Sequence, residues 1–393
     1  MTTLQLILHT TLSEWKAIAH NIPLLLVMLG GNIGYGFLYN YMYNPNTVNE
    51  APIAVVDMAG DKLSHTFIHN LDATEQVTVA YTLTDYAMAE QLVRDRKIVG
   101  FLYIPQNFSK LGSGYNHSNI MAYGSTLSFL DFLMLQEATT YTLLDFNTML
   151  RPMYVNQLDD KQKLALAQLQ PIEVIANPMF NSNEGYGTYL IPPVLMLIIF
   201  QTLMICICIS SGTEREEKQL NNKLINTSTY NKALILVIGK SMAYISIYCI
   251  ISAFMLGFLP KVFSLPHIGQ ATTIVVMMIP FLVASTLFGL CLLPICTDGE
   301  KPLIYIVFMS IILLFLSGVS YPLELMPWYW KWLHYVFPAT AGTLAFVKAN
   351  TMGATLPQLQ PELITMSIQC IIYFIVAILI YNRALRKGYW NIG

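Results

Sequence analysis

Apolar runs, free of charge except for Lys240, recur along the chain at approximately Ile22 to Tyr43, Tyr189 to Ser210, Ala233 to Leu259, Thr272 to Cys296, Leu303 to Val319 and Leu363 to Tyr381. A helix needs roughly 20 mainly apolar residues to cross the hydrocarbon core of a bilayer. About six transmembrane helices are therefore expected, and the fifth run is short, ending against Gly318, Pro322 and Pro327. Ahead of the first run, TLQLILHTTLSEWKAIAH sets Leu4, Leu8, Leu12, Trp15 and Ala19 on one helical stripe, with Thr10, Ser13, Glu14 and Lys16 on other faces. This pattern predicts an amphipathic helix on the inner membrane surface. The first 20 residues have no basic start and no small-residue cleavage site, so the first span is expected to remain as an anchor.

Between the first two runs the pattern changes. PIAVVD (52–57), QVTVAYTL (76–83), KIVGFLYI (97–104) and NIMAYG (119–124) read as strands, whereas DKLSHTFIHNL (61–71) and TDYAMAEQLVRDR (84–96) have helical period. Thr84 is a plausible cap for the second helix. A helical tract follows over 126–169, interrupted near Pro152, and PIEVIA (171–176) could add a strand. Alternating elements of this kind favour a small α/β domain. The organisation expected is an amphipathic helix and first span over 1–43, an inserted α/β domain over 44–187, and five further spans over 188–393.

Composition agrees with an α-helical polytopic membrane protein: the 393 residues are 55% hydrophobic and 11% charged. A net charge of −2 gives no basic face for a nucleic-acid partner. The six cysteines fall in or beside apolar runs, which excludes a disulfide framework for the inserted domain. Lys and Arg concentrate beside alternate span ends. Lys16, Arg215, Lys218, Lys223, Lys232, Lys240, Lys301, Arg383, Arg386 and Lys387 fall on one side, against Lys261, Lys331 and Lys348 in the short loops of the other. By the positive-inside rule both termini are cytoplasmic and the inserted domain faces outward, as in a multi-pass protein of a cell (inner) membrane.

No proposed span carries an ionisable group near its centre; Lys240 comes nearest and is expected to snorkel to the inner face. Ion-coupled carriers use such groups as relays or ligands, so a proton-driven cycle is disfavoured. Carbonyls of a helix broken at Pro280 or Pro294 could still bind sodium. The chain has no G-x-x-x-x-G-K-[ST] loop of its own: Gly239, Lys240 and Ser241 mimic its end, but Leu234 stands at the first glycine position. Uphill transport would need an external motor.

Three stretches resemble the ABC type-2 permease family, in the branch with a large domain between its first two spans. TEREEKQLNNKLINTSTYNKALILVIGK (213–240) is similar to the family's first cytoplasmic loop, FLSGVSYPLELMPWYWKWLHYVFPATAGTLAFVKAN (315–350) to its outer re-entrant segment, and IAVVD, KIVGFLYIPQNFSKLGSG and NIMAYG to the inserted domain. Lys218 and Gln219 replace the usual Gly-Thr, and NTST (226–229) lacks the usual proline. The resemblance implies an ATPase-coupling loop (211–232) containing Glu214, Arg215, Glu216, Glu217 and Lys218, and an outer re-entrant segment (320–346) punctuated by Gly318, Tyr321, Pro322, Pro327, Trp328 and Pro338. It implies the permease half of an ABC exporter. The chain itself would bind no cofactor, since ATP and Mg belong to a separate cytoplasmic ATPase. The permease would pair as a homodimer or heterodimer, and a periplasmic adaptor could dock on the inserted domain.

Independently of the resemblance, the three prolines of 320–346 forbid one continuous helix, and Trp328, Trp330, Trp332, Tyr329 and Tyr335 suit a lipid–water interface. Gly30 and Gly34 have the GxxxG spacing that admits a neighbouring helix. Asn32, Tyr35, Tyr39 and Gln201 are candidates for a substrate path, although membership of an aromatic belt also explains the tyrosines. No residue reads as a nucleophile or metal ligand. A non-transporting scaffold or receptor that displays the inserted domain is the alternative, but six spans exceed what anchoring requires.

Overall fold

In the computed structural model, described over residues 2–43, 50–108, 119–124, 129–155, 186–216, 229–265, 267–294, 296 and 301–387, Thr2 opens the first helix. Its hydroxyl accepts from the Gln5 amide while the Gln5 side chain accepts from the Thr2 amide, a reciprocal capping box. Helix α1 runs Thr3–His20. At Asn21 the backbone leaves helical geometry, and the Asn21 side chain caps the next helix by accepting from the Leu24 amide at 3.1 Å. That helix, α2, spans Ile22–Met42 and contains a π segment over Leu26–Gly31.

The chain divides into two compact units, Thr47–Asn177 and the remainder, Met1–Asn46 with Pro178–Gly393. The inserted unit consists of β1 (Ala51–Asp57), α3 (Lys62–Asp72), β2 (Val77–Leu83), α4 (Tyr86–Arg94), β3 (Gly100–Ile104), β4 (Met121–Gly124) and α5 (Phe129–Val155). The sheet order is β2-β1-β3-β4, with β1 parallel to both neighbours and β4 antiparallel to β3. Successive side chains of β1 point to opposite faces: Ile53 and Val55 pack with Phe67, Leu71, Leu135 and Phe146 under α3 and α5, while Ala54 and Val56 pack with Ala89 and Leu92 of α4. The four strands and two short helices expected from the pattern are present. Asp85, not Thr84, caps α4 by accepting from the Ala87 amide at 2.9 Å, and α5 continues through Pro152 to Val155. The expected strand over 171–176 lies outside the described residues.

After the insertion come α6 (Tyr186–Glu216), α7 (Thr229–Ala253, prolonged by a π turn over Phe254–Phe258 and a last turn over Leu259–Val262), α8 (Ala271–Cys291), α9 (Lys301–Leu316), α10 (Trp328–Val336), α11 (Pro338–Thr351) and α12 (Gln360–Arg386). Among the described residues, five helices are long and apolar enough to cross a membrane: α2, α6, α7, α8 and α12 with its preceding turn. The expected sixth, α9, has 16 residues. At 1.5 Å per residue that is about 24 Å, short of the roughly 30 Å hydrocarbon thickness. It stops where Gly318 takes a φ of +83°, a turn that a side chain would strain and whose added Cβ would lie 2.8 Å from Leu323.

Within this chain no other helix approaches the GxxxG pair among the described residues. A Cβ on Gly34 would meet nothing within 4 Å, and one on Gly30 only Leu26 of its own helix, whereas a Cβ on Gly36 would fall 2.6 Å from Leu259. The spacing rule names a face but not the neighbour it meets. Likewise α8 continues through Pro280, and Pro294 falls beyond its end in a turn, so neither makes a broken helix. A Cβ on Gly342 of α11 would lie 2.1 Å from the Phe281 ring of α8. Glycine is needed there for contact, not for conformation.

Candidate functional site

Thr10, Glu14 and Ile18 recur every four residues and are the buried face of α1. They pack on α7 where Gly239 leaves room: a Cβ there would lie 2.7 Å from Thr10. Thr11 donates to the Gly239 carbonyl at 3.1 Å, and the Trp15 indole to Ala243 O and Ser246 Oγ at 3.3 and 3.2 Å. Leu4, Leu8 and Leu12 stay exposed on other faces of α1, and Trp15 is part-exposed at the edge of the contact with α7.

This packing buries a charged cluster. Glu14 and Lys240 are 4% and 3% exposed. Lys240 Nζ donates to Glu14 Oε2 at 3.0 Å and to Glu214 Oε1 at 2.6 Å. Glu14 Oε1 accepts from Ser210 Oγ at 2.9 Å and from the Tyr244 hydroxyl at 3.1 Å. Burial by itself would push the Glu14 carboxyl up, but the Lys240 ammonium and the two hydroxyl donors outweigh it and hold Glu14 below the usual carboxylate range. One expectation is corrected here. Lys240 does not snorkel, because a carboxylate from α1 and another from α6 meet it inside the helix packing. Glu14 lies off the apolar stripe, on the face of α1 that meets α7, where Lys240 offers it a cation.

Of the residues assigned to the 211–232 loop, Glu214, Arg215 and Glu216 form the last turn of α6 rather than a loop. Glu214 turns inward to Lys240. Glu217 and Lys218 lie outside the described residues. The cluster thus ties α1 to the two helices that flank 217–228, and a further bond from Asn21 Nδ2 to Thr213 Oγ1 at 3.4 Å supports it.

At the opposite end of the same helices, 320–346 forms a short 3-10 turn over Leu323–Leu325 followed by α10 and α11. Pro327 precedes the first residue of α10 and Pro338 opens α11, positions where a missing amide costs nothing. Trp328 is 72% and Tyr321 47% exposed. Beneath this aromatic surface the segment is strapped down. His334 is buried with its Nδ1 2.7 Å from Leu316 O, Tyr189 donates to Val319 O at 2.5 Å, and Gln369 donates to Tyr335 O at 2.8 Å. Lys348 and Glu362 pair at 2.5 Å between α11 and α12.

The substrate-path candidates do not converge. Asn32 is 1% exposed and donates to Met28 O at 2.7 Å and Thr202 Oγ1 at 2.9 Å, fastening α2 to α6. Tyr35 is exposed and leads a ladder of rings through Tyr39 and Tyr43 to Tyr186. Gln201, one residue before Thr202, turns to a different face and lines a cavity of about 100 Å³ with Phe200, Met204, Tyr305 and Ser310. Ser210, Tyr244 and His334 carry no signal in the sequence, and nothing there pairs Glu14 with Lys240. Their partners lie up to 230 residues away, and no local pattern marks such a pairing. Among the described residues no group of three potential metal ligands occurs.

No curated protein and no solved structure matches the chain. The family described as ABC-2 family transporter protein matches residues 21–379. That range starts at the α1–α2 junction, takes in the inserted unit and ends within α12. The chain therefore belongs to the ABC-2 transporter family, whose members are membrane components of ABC transporters.

Proposed function

We propose that this chain is the permease subunit of an ABC exporter that moves a hydrophobic or amphipathic substrate outward. It works as a dimer, homomeric or with a paralogous permease, driven by a separate cytoplasmic ATPase that carries the ATP and Mg. The family match carries the transporter reading; the distribution of Lys and Arg supports a cytoplasmic position for both termini and for 217–228. On that topology the inserted α/β unit is extracytoplasmic, where an adaptor protein could dock if the cell has two membranes. Glu214 belongs to the packing that supports the coupling segment, and Arg215 and Glu216 stand at its entrance. Motion imposed on 217–228 by the ATPase would reach α6 and α7 directly, and α1 through Glu14.

The test is reconstitution. Vesicles holding this chain alone should neither hydrolyse ATP nor accumulate a lipophilic dye under an imposed proton or sodium gradient, and ATP-dependent transport should appear when the partner ATPase is added. Gradient-driven uptake by the chain alone would overturn the reading.

A further inference from the structure

A recess of about 720 Å³ opens between α7 and α8, at the end of α7 away from Thr229. That is the size of a cavity that holds a small organic ligand. Leu256, Ile274, Met278 and Leu282 wall it, and Val275 and Ile279 stand exposed at its rim. Its polar groups are few and placed at two levels. Near the inner end, Ser252 is 5% exposed and its Oγ has no hydrogen-bond partner among the described residues. A helical serine ordinarily turns its hydroxyl to the carbonyl four residues back. At the mouth stands Lys261, exposed and in no ion pair among the described residues. His267 also lines the mouth, its ring anchored to Asn350 Oδ1 at 2.5 Å.

We propose that this recess is a binding site for one anionic phospholipid, with an acyl chain between α7 and α8 and the phosphate at Lys261. The inference rests on reading α7 and α8 as spans and is independent of the exporter reading. Apolar walls with a single cation at the mouth match the polarity of an anionic lipid. A zwitterionic headgroup would bring its own positive charge to Lys261. Ser252 and Lys261 are nine residues apart, roughly 13 Å along a helix at 1.5 Å per residue. With its ammonium kept at the mouth, Lys261 would hold the phosphate there, and the glycerol esters and the start of an acyl chain would reach inward over that span toward Ser252. Gly257 makes the recess possible. It lies between these two residues, lines the recess, and would carry a Cβ with nothing within 4 Å, so a side chain placed there enters open space of the recess.

That geometry supplies the test. Full-length protein in mild detergent is exchanged against phosphatidylglycerol or phosphatidylcholine with identical chains, and bound lipid is counted by native mass spectrometry. Wild type should retain one phosphatidylglycerol per chain with about fivefold preference, as one lysine at a membrane surface supplies. Lys261→Gln should bring the ratio near one, and Gly257→Phe should remove retention of both lipids. Ile279→Trp repeats the block from the α8 wall should the first variant not purify. Equal retention in wild type and the blocked variants, or a preference unchanged in Lys261→Gln, would overturn the proposal. So would a blocked variant that turns dimer into monomer at unchanged lipid count, since the occupant would then be a second copy.

Discussion

Lys240→Met is the most informative single perturbation of the cluster that joins α1, α6 and α7. It removes two charge-assisted bonds, at 3.0 and 2.6 Å, and leaves Glu14, 4% exposed, beside Glu214 with no cation. Breaking a buried pair by removing one partner costs about 3–5 kcal/mol. A second route gives a similar figure. The stranded Glu14 can avoid its burial by taking a proton, and moving a carboxyl from an ordinary pKa of about 4.3 to neutrality at pH 7 costs about 3.7 kcal/mol at 1.36 kcal/mol per unit. A loss of about 3–4 kcal/mol at pH 7 is therefore expected, capped by protonation.

The two proteins should respond oppositely to acid. In the wild type the Glu14 pKa is lowered in the folded state, so its contribution is fully present above the unfolded value near 4.3 and is lost as pH falls through the lowered folded value. In Lys240→Met the stranded carboxyl binds its proton more cheaply as pH falls from 7 toward 5, so the variant recovers. The assay is the apparent melting temperature of full-length protein in detergent, by fluorescence-detected gel filtration at pH 7 and pH 5, with Glu14→Gln/Lys240→Met as the compensated pair. The single variant should melt lower at pH 7 and regain part of the loss at pH 5, and the double variant should exceed the single at pH 7. Equal melting of wild type and Lys240→Met at pH 7 would mean that Lys240 reaches water, and the buried cluster would be refuted.

Two further outcomes test the packing and the topology. Gly342→Ala must displace the Phe281 ring, since its Cβ would lie 2.1 Å away; overpacking of this kind costs about 1–3 kcal/mol, and an unchanged melting temperature would show that α8 and α11 pack less closely. Single cysteines at Ser113 and Asn183 should react with an impermeant thiol reagent in intact cells, whereas those at Asn222 and Gly388 should react only after permeabilisation; the reverse pattern would invert the topology.

Legibility in the sequence followed the range of the interaction. The strands of the inserted unit and five of the six expected apolar helices rest on period and length, which a window of 10 to 20 residues contains, and each is found where the pattern places it; α9 is shorter than a span needs. The α1 stripe is legible for the same reason, because the exposure of Leu4, Leu8 and Leu12 follows from helical period alone. The burial of Lys240 is not legible because a lone lysine in a span is expected to snorkel, and nothing in the sequence pairs it with Glu14; only the contact of α1 with α7 makes both burials affordable. Glu214 falls in the coupling loop that the family resemblance implies, and the resemblance does not show where α6 ends. The helix continues through it because Lys240, 26 residues on, neutralises it inside the packing. The cap at Asp85 shows the milder case, in which the chemistry was read correctly and the residue missed by one.

The cluster also bears on the energy source. Lys240 sits within the α7 span, so a side chain of the kind used in proton relays is present after all, and the disfavour toward ion coupling cannot rest on empty spans alone. It rests on the partners. A relay group must lose and regain its proton while its surroundings open alternately to the two sides. Lys240 instead holds carboxylates from two other helices, and Glu14 is fixed in turn by Ser210 and Tyr244. Releasing the Lys240 proton would leave the buried Glu14 and the half-buried Glu214 without the cation they share, at the several kcal/mol worked out above. The same energy makes the arrangement a good mechanical joint. On the proposed reading, α1, α6 and α7 stay together while 217–228 is pushed, and a surface helix then moves with the spans. Glu14→Gln should accordingly uncouple: one neutral acceptor replaces the charged one, so α1 loosens first, and ATP-dependent transport should fall more than ATPase association. If transport and association fell in equal proportion, α1 would be a support for docking rather than a moving part.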